Sequence, residues 1–566
     1  MRHFVADFET TTHEKDKTRI WAYGLTEIGN TEFFRAGRTM EEFFRFCESQ
    51  TNSIMYFHNL KFDGEFIIHW LLTNGYTYSK EKNDRTFNVM ISKMNQFYSI
   101  EVIFQRRNKN YKKVKFLDSL KKLPFPVAKI AKDFKFDIQK LDIDYDKPRP
   151  VGYFPTREEI QYIRNDVEIV ARALHIQYEQ GLSKMTIGSD ALNYFKEGLG
   201  KKVWERHFPV MSLEVDSDKR NGLRLSYRGG FTYLNPKYKC VDMGKGIVLD
   251  VNSLYPSVMY NCLLPYDYPI FFKGKYKPNE ICPLYIQRFV CEFELKKDHI
   301  PTIQIKKGNL GFIPTEYVES SKGKPVELVL TSVDMKLFLD HYDITEMYEY
   351  IDGWMFRAKQ GMFKEYIDHW MHVKENTTGS IRAIAKLLLN SLYGKFASNP
   401  DVTGKYPVLN GNVVEYHDKE EEFTNPVYTP LASFVTAYAR EITIRSAQKN
   451  YDRFIYADTD SLHLIGEELP ELEIHPTKLG AWDHESTFER GRFIRAKSYI
   501  EQVDGKLHVT CAGMPDNVKS LVTWENFRPL NEEMLLPCRD GYYFGKLMPK
   551  KVEGGVILEP NEFRIK

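Results

Sequence analysis

Six carboxylates fall into two groups whose spacing suits divalent-metal chemistry. Asp7 and Glu9 stand two residues apart at the end of a short apolar run, Phe4-Val5-Ala6. Alternate side chains of a strand leave the same face, so both acids point one way. Two carboxylates on one face repel unless a cation lies between them, although an exposed acidic strand end is the plainer reading of that pair alone. Asp63 comes next, in His58-Asn59-Leu60-Lys61-Phe62-Asp63-Gly64, where the chain passes from an apolar strand into a helix. Tyr162 and Asp166 are four apart and share a helix face. Four acids from three elements, with a tyrosine beside the last, are what two-metal phosphodiester hydrolysis needs. One metal activates a water and the other stabilises the leaving oxygen.

The second group lies downstream. Val248-Leu249-Asp250-Val251-Asn252 is an apolar strand that ends at an acid and a turn. In Phe454-Ile455-Tyr456-Ala457-Asp458-Thr459-Asp460-Ser461-Leu462, apolar runs flank the acids and read as a hairpin with Asp458 and Asp460 near its tip. An acidic turn between strands is the alternative for each. Between the two, Lys386, Asn390 and Tyr393 recur at i, i+4 and i+7 on one helix face. A lysine, an amide and an aromatic ring so placed can meet a triphosphate and stack near a base, while Leu387, Leu388 and Leu392 supply a buried stripe.

The elements that carry these residues can be read coarsely. A chain of 566 residues is too long for one core and divides into roughly three to five units. Hydrophobic content of 42% and charged content of 28% are ordinary for a globular protein. A net charge of +2 means that any surface for nucleic acid must be local. Seven cysteines without a Cys-x-x-Cys pair argue against a disulfide framework or a zinc site. The N-terminus reaches acids before a signal-peptide apolar region can form, and no apolar run is long enough to span a bilayer. The expectation is a soluble cytoplasmic protein with no membrane partner.

Phe4–Ala6, Tyr23–Leu25 and Ile54–Phe57 read as strands, and Arg157 to Gln180 as a helix with Ile160, Ile163, Val167, Val170 and Leu174 on one stripe. This gives a mixed α/β unit ending near residue 190. A stretch rich in short strands runs from Leu263 to Gly353. Two helices follow, with Ser380 expected to cap the second and Gly394 to stop it. A further feature is Asp118-Ser119-Leu120-Lys121-Lys122-Leu123-Pro124-Phe125-Pro126, flanked by Arg106, Arg107, Lys112, Lys113, Lys115, Lys129 and Lys132. Cations interleaved with apolar groups suit a single nucleic-acid strand; a solvated charged face is the alternative.

Asp7-Phe8-Glu9, the Asn59 to Asp63 block and Tyr162-x-x-x-Asp166 resemble the three motifs of proofreading 3′-5′ DNA exonucleases, whose fold is ribonuclease H-like. The resemblance implies that His58, Asn59, Phe62, Ser119 and Leu120 hold the 3′ end of the strand. It also implies that Lys140 supports the nuclease chemistry and adds Asp142 to the metal set of Asp7, Glu9, Asp63 and Asp166. The ordered motifs Asp250-x-x-Ser-Leu-Tyr-Pro, Lys386-x-x-x-Asn-Ser-x-Tyr-Gly and Tyr456-x-Asp-Thr-Asp-Ser resemble those of family B DNA polymerases. Lys497-Ser498-Tyr499 is similar to that family's primer-binding motif, and Tyr227-Arg228-Gly229-Gly230-Phe231 to its template-binding motif. By that resemblance Asp250, Val251 and Asp460 hold two Mg²⁺ or Mn²⁺ ions and Asp458 assists. Lys374, Arg382 and Lys386 hold the phosphates of a deoxynucleoside triphosphate beside Asn390 and Tyr393, and Tyr255 excludes a ribose 2′-hydroxyl.

Long intervals after the Asp250 motif and after Asn399 resemble the two insertions of protein-primed enzymes, closest to the phi-29-like group of small bacteriophages. The implied class is a multidomain α/β (α+β) protein, a nuclease joined to a right-hand polymerase. The implied layout is 1–190 exonuclease, 191–260 and 427–528 palm, 261–358 and 396–426 the two terminal-protein-region insertions, 359–395 fingers and 529–566 thumb. The implied partners are template, primer and displaced DNA strands, deoxynucleoside triphosphates and a terminal protein, for a monomer in the bacterial host cytoplasm. Ala457 stands where that family has Cys or Gly, Arg382 where lysine is common, and the thumb is loosely matched. The alternatives are a family B polymerase without protein priming, and an exonuclease whose C-terminal part is a non-catalytic DNA-binding scaffold.

Overall fold

The computed structural model describes every residue except 13, 109, 146, 220–221, 306–312, 314, 529–544 and 563–566. The N-terminal unit is built on a mixed sheet. Strand β1 (Arg2–Thr10) pairs antiparallel with Ile20–Glu27, which pairs antiparallel with Asn30–Gly37. On its other side β1 runs parallel to Asn52–Phe57, which runs parallel to Asn110–Asp118. Three antiparallel strands continued by two parallel ones form the ribonuclease H-like arrangement expected. The central strands are covered on both faces: Phe4, Phe8, Phe57 and Phe116 bury their rings with Phe43 on one side, and the alternate residues Val5, Tyr56 and Leu117 join a second core on the other, which explains their nearly continuous apolar runs.

Two helices complete the site-bearing edge. Helix α1 (Leu60–Thr73) starts directly after Asn59, whose φ of 82° is left-handed, a conformation asparagine tolerates better than most residues. Helix α2 (Arg157–Glu179) is fixed by a capping box, in which Thr156 and Glu159 each satisfy the other's backbone N–H.

Next comes helix α3 (Ile187–Leu199), so a domain boundary at residue 190 would cut a helix. Its aromatic residues pack against the downstream helical hairpin. Phe195 stacks on Phe363 at 4.5 Å, and Tyr194 meets Tyr366 and Trp370.

The polymerase-like part centres on an antiparallel sheet. Strand β2 (Gly246–Val251) lies between Trp482–Phe488 and the hairpin of β3 (Phe454–Asp458) and β4 (Ser461–Ile465). After β2 comes helix α4 (Leu254–Asn261), then the segment expected to be the first insertion, whose sheet has the order Leu264–Lys273, Tyr342–Lys359, Leu284–Leu295, Val326–Thr331. Helices α5 (Lys364–Asn376) and α6 (Gly379–Phe396) form the expected helical hairpin. Its ends differ from expectation. Thr378, not Ser380, is the N-cap residue, and Gly394 lies inside the helix rather than stopping it. The helix continues because Phe396 is fully buried against Phe195, Phe208 and Phe363. Helix α7 (Thr429–Lys449) runs behind the sheet, with Pro430 in its first turn. Its Arg440 is buried, paired with Asp334 at 2.8 Å, and donates to the carbonyls of Arg228 and Gly229.

Two late segments return to the N-terminal unit. The hairpin Gly404–Asn410 and Val413–Asp418, within the segment expected to be the second insertion, extends the N-terminal sheet by pairing Gly404 with Ser92 and Lys405 with Ile91. The C-terminal hairpin Gly545–Val552 and Gly555–Glu562 also lies on the N-terminal unit. Val556 joins its core, and Lys551 contacts Glu65 and the ring of Tyr416. Much of the segment expected to be the thumb, 529–544, lies outside the described residues.

Candidate active sites

The first site is a cleft of about 750 Å³ lined by Asp7, Glu9, Asp63, Tyr162 and Asp166. The two-residue spacing on β1 aims Asp7 and Glu9 into it; α1 supplies Asp63 from its first turn and α2 supplies Asp166. Burial, with the Asp166 charge next, pushes the Asp7 carboxyl up to about 7. Burial and the neighbouring Asp7 push Glu9 and Asp63 well above the usual carboxylate range. One buried oxygen each of Asp63 and Asp166 has no hydrogen-bond partner. Such a cluster is short of positive charge, as a site for hard divalent cations should be. Among the described residues, however, no three His, Cys, Asp or Glu side chains already converge as a finished metal cage. Lys140 brings an ammonium into the cleft lining: its Nζ pairs with Asp166 and donates to Tyr162 Oη at 3.1 Å.

The residues expected to hold a DNA strand form a bonded unit beside this cleft. His58 Nδ1 lies 3.0 Å from Ser119 Oγ, and its Nε2 lies 2.7 Å from the Phe125 carbonyl. Asp118 accepts from the backbone N–H groups of Asn59, Leu60 and Leu120. Ser119 is fully buried, so it reaches a ligand only through His58, whereas Asn59 and Phe62 line the cleft themselves. Asp142 stays exposed in its loop, outside the lining, and acts on Asp166 by charge alone. Sequence reading missed Asp118 as a cap and Tyr145, whose hydroxyl lies 2.7 Å from that of Tyr162. Neither carries a spacing signal of its own.

The second site is made by strand register. Asp250 at the end of β2 pairs with Ser461, next to Asp460, and the Val251 N–H donates to the Asp460 carbonyl at 2.8 Å. Burial, then the Asp460 and Glu485 charges, push Asp250 up to about 7; burial also raises Asp460. Glu485 and Asp483 come from Trp482–Phe488, where Asp483 pairs with Asp250 across the sheet. Sequence reading missed both, because acids on an ordinary strand carry no motif. Asp458 is engaged elsewhere: Lys497 Nζ is 3.0 Å from one oxygen and Thr232 Oγ1 donates to the other at 2.9 Å. The Tyr227–Phe231 segment packs on the hairpin tip. A Cβ on Gly230 would fall 2.6 Å from Thr459 Oγ1, so glycine is needed there. Phe231, expected to touch DNA, is completely buried against Tyr317, so it anchors that segment instead.

A cationic helix face stands near the acids, with the Lys386 charge acting on Asp250. Lys386 and Asn390 are exposed together on α6, and Lys374 on α5 donates to Ser253 at 3.1 Å. Burial and the Lys386 and Arg382 charges lower the Lys374 pKa, as expected where cations crowd an anion site. Tyr255 and Tyr393 stack on each other within reach of the Asp460 charge. Tyr499 stacks on Phe493 at 4.8 Å behind Lys497.

Comparison with known proteins agrees with this geometry. Residues 47–479 match the family model of DNA polymerase type B, organellar and viral. The chain is 49% identical to the DNA polymerase of Bacillus phage Nf and 47% identical to that of Bacillus phage phi29, covering 100% of this chain and 99% of each relative. It is similar to the solved phi29 DNA polymerase bound to primer-template DNA and incoming nucleotide, with a TM-score of 0.93 at 46% identity over the whole of both chains. Carboxylates at two sites, the ordered motifs and these matches lead to one statement: the chain belongs to the organellar and viral type B DNA polymerases.

Proposed function

We propose that the Asp250–Asp460 site extends a DNA primer and that the Asp7–Glu9–Asp63–Asp166 site removes mispaired 3′ ends. The observation that carries this reading is the placing of Asp250 and Asp460 side by side, with the Lys374–Arg382–Lys386 face nearby. Acids and cations so placed fit a metal-bound triphosphate. Divalent ions held by Asp250, Asp460 and the Val251 backbone would lower the barrier to attack of the primer hydroxyl on the α-phosphate and neutralise the departing pyrophosphate. The chain's own residues do the rest. Lys374 and Lys386 orient the phosphates, Tyr255 sits beneath the sugar, Lys497 guides the primer and Tyr227–Gly229–Gly230 the template. In the nuclease, Lys140 and Tyr162 hold Asp166 and the water in place. Divalent ions fit there too, on the unpartnered oxygens of Asp63 and Asp166.

The helical hairpin then serves as fingers, the β2–β3–β4 sheet as palm, and the two insertions as the surfaces that engage a terminal-protein primer. Primer extension and 3′-end degradation of Asp460→Ala and of Asp7→Ala with Glu9→Ala test the two-site reading. Each variant should lose one activity and keep the other; loss of both from either folded variant defeats it. Protein priming is tested separately, by transfer of a labelled nucleotide to a hydroxyl amino acid of the cognate terminal protein.

A further inference from the structure

Lys122 and Asp190 form an ion pair whose place neither catalytic site explains. Both side chains are sealed from solvent, 0% and 1% exposed, at 2.5 Å. The Lys122 ammonium also donates to the carbonyls of Leu182 and Lys184, each at 2.9 Å, which uses all three of its protons. The second oxygen of Asp190 accepts the Lys184 N–H at 2.7 Å. A buried pair so fully bonded is geometrically rigid, yet well-packed apolar residues often stabilise a fold as well or better. Its value therefore lies in what it aligns.

One end of the pair belongs to the turn that carries Ser119 and Leu120, since the Lys122 N–H donates to the Ser119 carbonyl at 2.9 Å. The other end is the first turn of α3, whose Gly188 lies against α6. A Cβ there would stand 3.0 Å from Lys395 and 3.4 Å from the Ser391 carbonyl. Ser391 follows Asn390 on the nucleotide-facing helix. A continuous chain of close contacts thus joins the nuclease's strand-holding turn to the polymerase's nucleotide-holding helix.

We propose that Lys122 and Asp190 are positioning residues that fix the spacing of the two sites and so set how a primer end divides between extension and degradation. The proposal rests on the two-site reading above. Loosening the joint hinders transfer of a duplex primer end into the nuclease cleft, while each site keeps its own chemistry.

The test replaces the pair with apolar residues, Lys122→Met with Asp190→Leu, and separately changes Gly188→Ala at the next contact along. On a primed template, the deoxynucleotide concentration at which extension balances degradation is measured. It should fall by about five-fold, the lower end of usual coupling between sites. Degradation of a single strand, and extension in an Asp7→Ala, Glu9→Ala background, should stay within about two-fold of the parent, a change too small to count as site coupling. These single-activity assays separate failure of the two-site reading from failure of the joint. A merely structural pair would lower the melting temperature without moving the balance point. An unchanged balance point in the folded double variant, or in Gly188→Ala if the double variant does not fold, overturns the proposal.

Discussion

Tyr255 and Tyr393 stack with ring centroids 3.9 Å apart and planes 21° from parallel, although one lies on α4 and the other on α6. Both rings lie within reach of the Asp460 charge. Each ring packs against the other, which holds the Tyr255 ring in place.

That rigidity predicts a loss of sugar discrimination on truncation. Tyr255→Val should raise ribonucleotide incorporation relative to deoxyribonucleotide by about 10- to 100-fold, the range for removing one steric contact. The ratio of kcat/KM for the two triphosphates on one template measures it. Unchanged discrimination would show that the ring does not meet the sugar.

Lys140 is the ammonium paired with Asp166 in the nuclease cleft. Lys140→Met should slow 3′-end degradation by about 100-fold, a typical loss for one electrostatic contributor, with extension rates unchanged. Single-turnover decay of a labelled oligonucleotide decides between this and a purely structural lysine, for which only the melting temperature would fall.

Arg440 has four bonded partners deep in the protein, two from the Asp334 carboxylate and two from the backbone carbonyls of Arg228 and Gly229. Arg440→Met leaves Asp334 buried without its partner and should cost about 3–5 kcal/mol. Urea denaturation followed by tryptophan fluorescence measures the loss. A cost below 1 kcal/mol, the ~0–1 kcal/mol of an exposed pair, would contradict the burial described.

His341 gives a pH dependence with a definite sign. Burial, opposed by its bond to the Ile300 carbonyl and assisted by the nearby His299 and Arg445 charges, lowers its pKa from 6.5 to about 4. The unfolded chain therefore binds a proton that the folded one refuses between about pH 6.5 and 4. The resulting stability is fully present above pH 6.5 and is lost as pH falls towards 4, by about 3 kcal/mol for a shift of this size. Denaturation midpoints across that window should lose this slope in a His341→Asn variant.

Much of both sites is legible in the chain because their acids stand at telling spacings: two apart on a strand, in a first helical turn, four after a tyrosine on a helix face, and at a strand end or hairpin tip. The spacing of Asp7 with Glu9, and of Lys386 with Asn390 and Tyr393, survives folding unchanged. What stays hidden is whatever depends on pairing across long sequence intervals. Asp483 reaches Asp250 only through sheet register, and Tyr145 reaches Tyr162 only through the path of a loop. Gly394 looks like a helix stop until Phe396, two residues on, is seen to be buried against rings from other helices. A boundary at 190 is natural from composition, yet α3 crosses it because its aromatic face belongs to the helical hairpin.

The hairpin at Gly404–Asp418 also has a consequence in time. A ribosome makes the strand Thr86–Ser92 about 310 residues before the strand that covers its edge at Ser92 and Ile91. At roughly 5–20 residues per second, that edge waits on the order of 15–60 seconds with backbone groups unpaired. Over that interval the nascent nuclease is a half-closed template for other strands. Its most vulnerable moment in the cell therefore comes during synthesis, after the catalytic acids have been made and before the last of their sheet has arrived.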